Sequence, residues 1–121
     1  MAYDPDNVFA KILRGEIPCK KVIESEHSLA FHDINPAMPV HVLVIPKGAY
    51  RNTDDFSTNA SSEEITDHFR TVGEVARIMG VVESGYRIMA NTKAHANQEV
   101  EHFHTHVFGS QQMVRRMVQG E

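Results

Sequence analysis

Three histidines alternate with other residues near the end of the sequence, at His102, His104 and His106 in the segment HFHTHVF. Successive side chains of a β-strand point to opposite faces of a sheet, so a strand here places all three imidazoles on one face. A row of imidazoles is costly to bury without hydrogen-bond partners. The alternation therefore predicts a strand with one apolar face and one face of imidazoles that bind or react with a ligand.

The histidine face suits two kinds of chemistry. Two imidazoles of a His-x-His strand can lean toward one metal ion, with a third ligand from His41, Asp33 or Glu99. Alternatively, a neutral imidazole can attack phosphorus while its neighbours fix its tautomer and hold phosphate oxygens. The spacing of the histidines is compatible with either chemistry.

Length and composition exclude several classes of protein. The 121 residues suit one domain, and 41% of them are hydrophobic, which argues against a disordered chain. No apolar run approaches the roughly 20 residues of a membrane helix, and the polar start is unlike a signal peptide. The single cysteine, Cys19, excludes an internal disulfide and favours a cytoplasmic location. A net charge of -4 argues against a nucleic-acid-binding protein, so we expect no nucleic-acid or membrane partner.

Local signals along the chain predict an α+β fold. Asp6 or Asn7 can cap a short first helix that continues through Leu13. Short runs between turn residues predict about five strands, at residues 21–24, 28–32, 40–45, 86–90 and 102–108. One long helix lies between the third and fourth strands, and the short connections favour a mostly antiparallel sheet.

The long helix has clear signals at both ends. Ser61 and Glu64 have capping-box spacing, and Gly80 ends the helix. Because His68 lies off the apolar stripe of this helix, we expect it on the solvated face. The stripe itself repeats at helical spacing and is predicted to consist of Ile65, Phe69, Val72, Ala76 and Met79.

The chain resembles the histidine triad (HIT) family, whose signature is His-x-His-x-His followed by two apolar residues. Residues 7–18 resemble the opening segment of that family, and residues 30–36 and 41–47 resemble its central strands. The match extends over residues 7–113 and is closest to the Hint (histidine triad nucleotide-binding) branch. The resemblance implies one HIT-like domain over residues 1–121.

Members of this branch are homodimeric hydrolases and transferases that act at the α-phosphate of purine nucleoside 5′-phosphoramidates and related nucleotide conjugates. The resemblance implies a nucleotidyl-histidine intermediate on His104 and no required metal or other cofactor. It also implies that His106 lies beside the phosphate and orients His104, that His102 supports the site, and that His41 is an additional histidine of the site.

The resemblance further implies a nucleotide pocket. Asp33 matches the carboxylate that accepts the ribose hydroxyls, and a carboxylate has two acceptor oxygens for a vicinal diol. His32 contributes beside it, and Asn91 and Gln98 match polar residues near the phosphate. The apolar base pocket corresponds to Val8, Phe9, Ile12, Phe31, Ile34 and Leu43, and the segment leading to the triad contributes Asn97, Gln98, Glu99 and Val100 beside His104 and His106.

Two departures from the family pattern bear on activity. The Hint branch has Gly-Gln-Ser-Val before the triad, where this chain has residues 97–100 with the sequence NQEV. The replaced serine is tied to protonation of the leaving amine, so Glu99 either acts as an acid in its place or repels phosphate. Ala49 occupies the place of a second supporting histidine. A nucleotide-binding or scaffold protein with vestigial hydrolysis is therefore an alternative function.

Overall fold

The computed structural model describes residues 2–115, and Met1 and residues 116–121 of the predicted domain lie outside the described residues. Five antiparallel strands form one sheet in the order β1-β2-β3-β5-β4, and three α-helices accompany it. The predicted α+β class is confirmed. The strands are β1 Lys21–Glu24, β2 Ser28–His32, β3 Val40–Pro46, β4 Tyr86–Met89 and β5 Thr105–Gly109, and the helices are α1 Val8–Leu13, α2 Thr53–Asn59 and α3 Ser62–Ile78.

The central strand β3 is buried along its whole length because both faces of the sheet are covered. Alternate side chains of β3 enter two different apolar clusters. Val42 and Val44 belong to the cluster beneath α3, together with Ala30 and Val107. Leu43 and Ile45 belong to the cluster beneath α1, together with Phe9, Leu29 and Phe31.

Helix α3 begins as predicted, since Ser61 and Glu64 form a complete capping box. The predicted apolar stripe is wrong at one position, because the side chain of Phe69 is 54% exposed. The prediction that His68 lies on a solvated face is also wrong, because His68 is fully buried. The buried face of the helix is therefore rotated relative to the predicted stripe and consists of His68, Thr71, Val72, Val75 and Ala76.

Two hydrogen-bonding partners explain why polar residues occupy this face. The Nε2 atom of His68 lies 2.8 Å from the hydroxyl of Thr105 on β5. The hydroxyl of Thr71 donates to the backbone carbonyl of Asp67 over 2.7 Å. These bonds offset part of the cost of burial, since the buried Nδ1 atom of His68 has no hydrogen-bond partner within residues 2–115.

Helix α2 was not predicted from the sequence. Its residues, TDDFSTN, are mostly polar, and only Phe56 is buried. Asn52 caps the helix by accepting a hydrogen bond from the amide of Asp55. Phe56 stacks on Phe103, with ring centroids 4.7 Å apart, so the helix covers the face of the triad segment opposite the histidines.

Strand β5 begins at Thr105, three residues after the predicted start at His102. The ladder between β3 and β5 ends at the pair of Val44 and Thr105. Two residues further along β3 lies Pro46, which has no amide hydrogen for a ladder hydrogen bond. The amide of Phe103 instead donates to the carbonyl of Tyr50 over 2.7 Å. The alternation of faces nevertheless continues through residues 102–104.

Gly109, at the end of β5, lies where a side chain does not fit. A Cβ atom added at this position would be 2.7 Å from Cγ1 of Val81, which belongs to the cluster beneath α3.

Within residues 2–115, no helix combines the length and the hydrophobicity needed to cross a bilayer.

We expect acid to destabilise the fold through His68. Burial lowers the pKa of His68 to about 4, whereas an unfolded histidine has a pKa of about 6.5. The contribution to stability is therefore fully present above pH ~6.5 and is lost as the pH falls from ~6.5 to ~4, by on the order of 3 kcal/mol.

The variant His68→Gln keeps a hydrogen-bonding group but does not titrate. Chemical denaturation from pH 7.5 to 4 should show the difference in unfolding free energy between wild type and His68→Gln shrinking toward low pH. The control His95→Gln, at an exposed position, should follow the wild-type curve. Parallel curves for wild type and His68→Gln would contradict this prediction.

Candidate active site

His102 has a partner for each ring nitrogen. Its Nε2 atom lies 2.8 Å from the carbonyl oxygen of Pro46, which can only accept, so Nε2 carries the proton and donates. Its Nδ1 atom lies 2.7 Å from the hydroxyl of Tyr3, which therefore donates to Nδ1. His102 is fully buried. These bonds hold it as a neutral ring in a single tautomer.

The next histidine of the triad is oriented by the backbone of the first. The Nδ1 atom of His104 lies 2.7 Å from the carbonyl oxygen of His102, so Nδ1 carries the proton and donates. The Nε2 atom of His104 is then left with a lone pair. A neutral imidazole with its free lone pair on Nε2 is a nucleophile.

A second chain of hydrogen bonds fixes the third histidine. The amide of Ala37 donates to Nδ1 of His41 over 3.0 Å, so the proton of this ring lies on Nε2. This Nε2 atom lies 2.9 Å from Nδ1 of His106 and donates to it. The proton of His106 therefore lies on its own Nε2 atom. His104 and His106, whose ring centroids are 5.1 Å apart, thus present a lone pair and a donor respectively.

Asp33 lies beside this chain, in the loop after β2. Its Oδ2 atom is 3.4 Å from Nε2 of His41, and its Oδ1 atom accepts from the amide of Asn35 over 2.8 Å. Asp33 therefore also stabilises the turn of its own loop. The negative charge of Asp33 also acts on His104 and His106.

The electrostatics of the site favour neutral rings. Burial, which is the largest cause, and the neighbouring imidazoles together lower the pKa of His102 and of His106 to about 4. Burial also lowers the pKa of His104 and of His41. At neutral pH the four rings are therefore uncharged, which is the form in which an imidazole can attack or accept.

Aromatic rings brace the histidines on two sides. Phe9 of α1 meets His104 edge to face, with ring centroids 5.0 Å apart. Phe108 stacks on His106 and contacts His41, with centroids 5.4 and 4.3 Å away. Phe108 was not predicted as a site residue, although its position two residues after His106 places it on the same face. No sequence signal pointed to Tyr3 or to the amide of Ala37.

Part of the predicted base pocket is gathered beside the triad. Phe9, Phe31 and Leu43 are buried in one cluster, with Ile12 and Val100 packed against it. Three other residues of the predicted pocket have exposed side chains. Val8 and His32 are exposed, and the side chain of Ile34 is 92% exposed.

The segment before the triad is held by Gln98. Its amide nitrogen donates to the carbonyls of Arg51 and Val100, over 2.7 and 3.0 Å, and its amide oxygen accepts from the amide of Lys93 over 2.9 Å. The structure thus gives Gln98 a role in holding three pieces of backbone together. Glu99, next to it, is exposed, and its charge acts on His104.

The other polar residues predicted near the phosphate lie in the same loop region. Asn97 is exposed and ends a short 3-10 turn, Ala94–Ala96, in the left-handed conformation. Asn91 is half-buried and is the second residue after the end of β4. Ala49, at the place of a second supporting histidine, is exposed.

Asp33, His41 and His106 could together hold a metal ion, since one ligand atom from each lies within 4.8 Å of the others. The partner of His41 argues against this use. A neutral imidazole bound to metal through Nε2 carries its proton on Nδ1 and donates it to an acceptor. Here Nδ1 of His41 faces the amide hydrogen of Ala37. A metal-bound His41 would carry its proton on Nδ1, so the hydrogen bond from Ala37 would be lost and two N–H groups would point at each other.

Comparisons with known proteins show the family to which this chain belongs. The sequence profile of the HIT domain matches residues 14–113. The chain belongs to the histidine triad family. A 13.2 kDa HIT-like protein of Azospirillum brasilense is 61% identical over 118 residues, which cover 98% of this chain and 97% of the relative.

Solved HIT structures have the same fold. A HIT family hydrolase from Clostridium thermocellum superposes with a TM-score of 0.87 at 35% identity, covering 93% of this chain and 97% of that one. A HIT family hydrolase from Legionella pneumophila has a TM-score of 0.83 at 37% identity, covering 89% of this chain and 96% of that one. The HIT fold therefore extends over nearly the whole of this chain.

Proposed function

We propose that this HIT protein is a nucleotide hydrolase that splits purine nucleoside 5′-phosphoramidates, or related nucleotide conjugates, at the α-phosphate. The observation that carries the proposal is the opposite polarity of two adjacent rings. The Nε2 atom of His104 offers a lone pair, and the Nε2–H group of His106 offers a donor. An attack on phosphorus needs a nucleophile and a donor for the phosphate oxygens in such an arrangement.

The reaction proceeds in two displacements. Nε2 of His104 attacks phosphorus, the bond between phosphorus and the leaving nitrogen breaks, and that nitrogen takes a proton from solvent through the carboxyl group of Glu99. In the nucleotidyl-His104 intermediate the Nδ1–H group still donates to the carbonyl of His102, which stabilises the positive ring. Water then attacks phosphorus, releases the nucleoside monophosphate and loses a proton, and the lone pair of His104 is restored.

The nucleotide would bind on the histidine face of the sheet. The cluster of Phe9, Phe31 and Leu43 supplies an apolar surface for a purine, beside the ring of His104. Asp33 supplies acceptors for the ribose hydroxyls, and its single amide contact leaves lone pairs for them. No metal or other cofactor takes part in this scheme, and it operates in the cytoplasm without a nucleic-acid or membrane partner.

The proposal includes a homodimer. Strand β4 lies at one edge of the sheet. Its side chains Tyr86 and Ile88 are 41% and 44% exposed. The other outer strand, β1, is protected by the ion pair of Lys21 with Glu24.

Replacing His104 by Asn should lower turnover by on the order of 10⁴-fold or more, because the covalent nucleophile is removed. Binding of the nucleoside monophosphate should remain, since base and ribose contacts lie elsewhere. The measurement is hydrolysis of adenosine 5′-phosphoramidate with a chelator present, with His27→Asn as the control. Near-normal turnover of His104→Asn, or loss of wild-type activity to the chelator, would contradict the mechanism.

Replacing Asp33 by Asn should weaken adenosine monophosphate binding by about tenfold to a hundredfold, because a hydroxyl bound to a charged acceptor is lost. Binding of 2′-deoxyadenosine monophosphate should weaken less. Calorimetric titration of both ligands into both proteins gives the comparison, in which any indirect effect through His41 cancels. If both ligands weakened equally, Asp33 would not be the ribose acceptor.

Replacing Glu99 by Gln should change the choice of leaving group. A carboxyl group beside the departing amine assists poor leaving groups, which need a proton, more than good ones. We expect the rate ratio of a good to a poor leaving group to rise about tenfold or more in Glu99→Gln. The matched control is Glu101→Gln, and an unchanged ratio would make Glu99 a bystander.

Replacing Ile88 by Glu should convert the dimer into a monomer, because a charge on the outer strand opposes strand pairing. Analytical ultracentrifugation at tens of micromolar should give a dimer mass for wild type. Lys21→Glu, on the opposite edge of the sheet, should remain dimeric. A wild-type monomer under these conditions would refute the dimer.

A further inference from the structure

The first residues of the chain reach the triad. Tyr3 is 99 residues before His102 in sequence, yet its hydroxyl lies 2.7 Å from Nδ1 of that ring. The two rings meet edge to face, with centroids 5.7 Å apart. Because Nε2 of His102 donates to the carbonyl of Pro46, Nδ1 must accept, and Tyr3 must donate.

Several bonds anchor the segment that carries Tyr3. The amide and the side-chain amide of Asn7 both donate to the carbonyl of Asp4, over 3.3 and 2.8 Å. The Nη1 atom of Arg14, at the end of α1, donates to the carbonyl of Pro5 over 2.7 Å. The segment is thus tied to α1, whose Phe9 also packs against His102 and His104. Tyr3 therefore reaches the triad from an anchored piece of chain.

We propose that Tyr3 is a positioning residue, which acts on the nucleophile through His102. Its hydroxyl completes the hydrogen bonds of the His102 ring, and that ring spans from Tyr3 to Pro46 on β3. The carbonyl of the same residue, His102, accepts the proton of Nδ1 on His104 and so aims Nε2 of His104. A displacement of His102 is therefore transmitted directly to the nucleophilic nitrogen.

Without the Tyr3 hydroxyl, Nδ1 of His102 becomes a buried acceptor with no partner. Such an atom draws in water, or the ring turns toward another donor and loosens its bond to Pro46. Either response shifts the carbonyl that orients His104. Small errors of aim at a nucleophile reduce the rate more than they reduce substrate binding.

The test compares Tyr3→Phe with Tyr50→Phe in the full chain. Tyr50→Phe also removes a hydrogen-bonded hydroxyl, but that hydroxyl donates to the carboxylate of Glu64 over 2.8 Å and not to His102. This inference rests on the proposed function for its kinetic readout, so a second readout is independent of turnover. That readout is the set of imidazole ¹⁵N chemical shifts, which report the protonated nitrogen of each histidine.

In Tyr3→Phe we expect the Nδ1 resonance of His102 to move, with a linked change at His104, while Tyr50→Phe leaves both unchanged. We expect kcat to fall by about three- to tenfold, the worth of one neutral hydrogen bond, with KM unchanged. Unchanged histidine shifts in Tyr3→Phe would overturn the proposal, whatever the effect on kcat or thermal stability. If wild type hydrolyses no phosphoramidate, the proposed reaction fails, and the ¹⁵N shifts still decide the role of Tyr3.

Discussion

The burial of several imidazoles on one face of the sheet is the constraint on which the rest of this site depends. A neutral imidazole has one donor and one acceptor, and a buried ring needs a partner for each. Backbone groups partner three of these ring nitrogens. The carbonyl of Pro46 holds His102, the carbonyl of His102 holds His104, and the amide of Ala37 holds His41. The tautomers follow from those groups, because a carbonyl can only accept and an amide can only donate.

This constraint gives two adjacent histidines opposite properties. His104 is held through its Nδ1–H group, so its free nitrogen has a lone pair. His106 accepts at Nδ1 from His41, so its free nitrogen has a proton. Reversing the partner of His41 from an amide to a carbonyl would reverse the tautomer of His106. The same arrangement would then favour a metal ion over a phosphate, which is why the amide of Ala37 matters more to the chemistry than the identity of its side chain.

Much of the fold could be predicted from the sequence because its signals are local. The strands at residues 21–24 and 28–32 have the predicted bounds, and the capping box of Ser61 and Glu64 is present. The errors arise where burial depends on tertiary partners. His68 was predicted on the surface because it lies off the apolar stripe, but it is buried, and Thr105 partners its Nε2 atom. Phe69 was predicted in the core because it is apolar, yet it lies on the face turned away from the sheet.

The site could be predicted only in part, for a related reason. Alternation along β5 and the family resemblance were enough to select the histidines and Asp33. Neither could indicate the tautomers, because the deciding partners are backbone groups that leave no signature in side-chain identity. Gln98 illustrates the same limit, since an amide side chain can bind phosphate or hold backbone, and here three backbone contacts engage it. A histidine triad motif therefore specifies which rings share a face, whereas the surrounding backbone specifies which of them can attack.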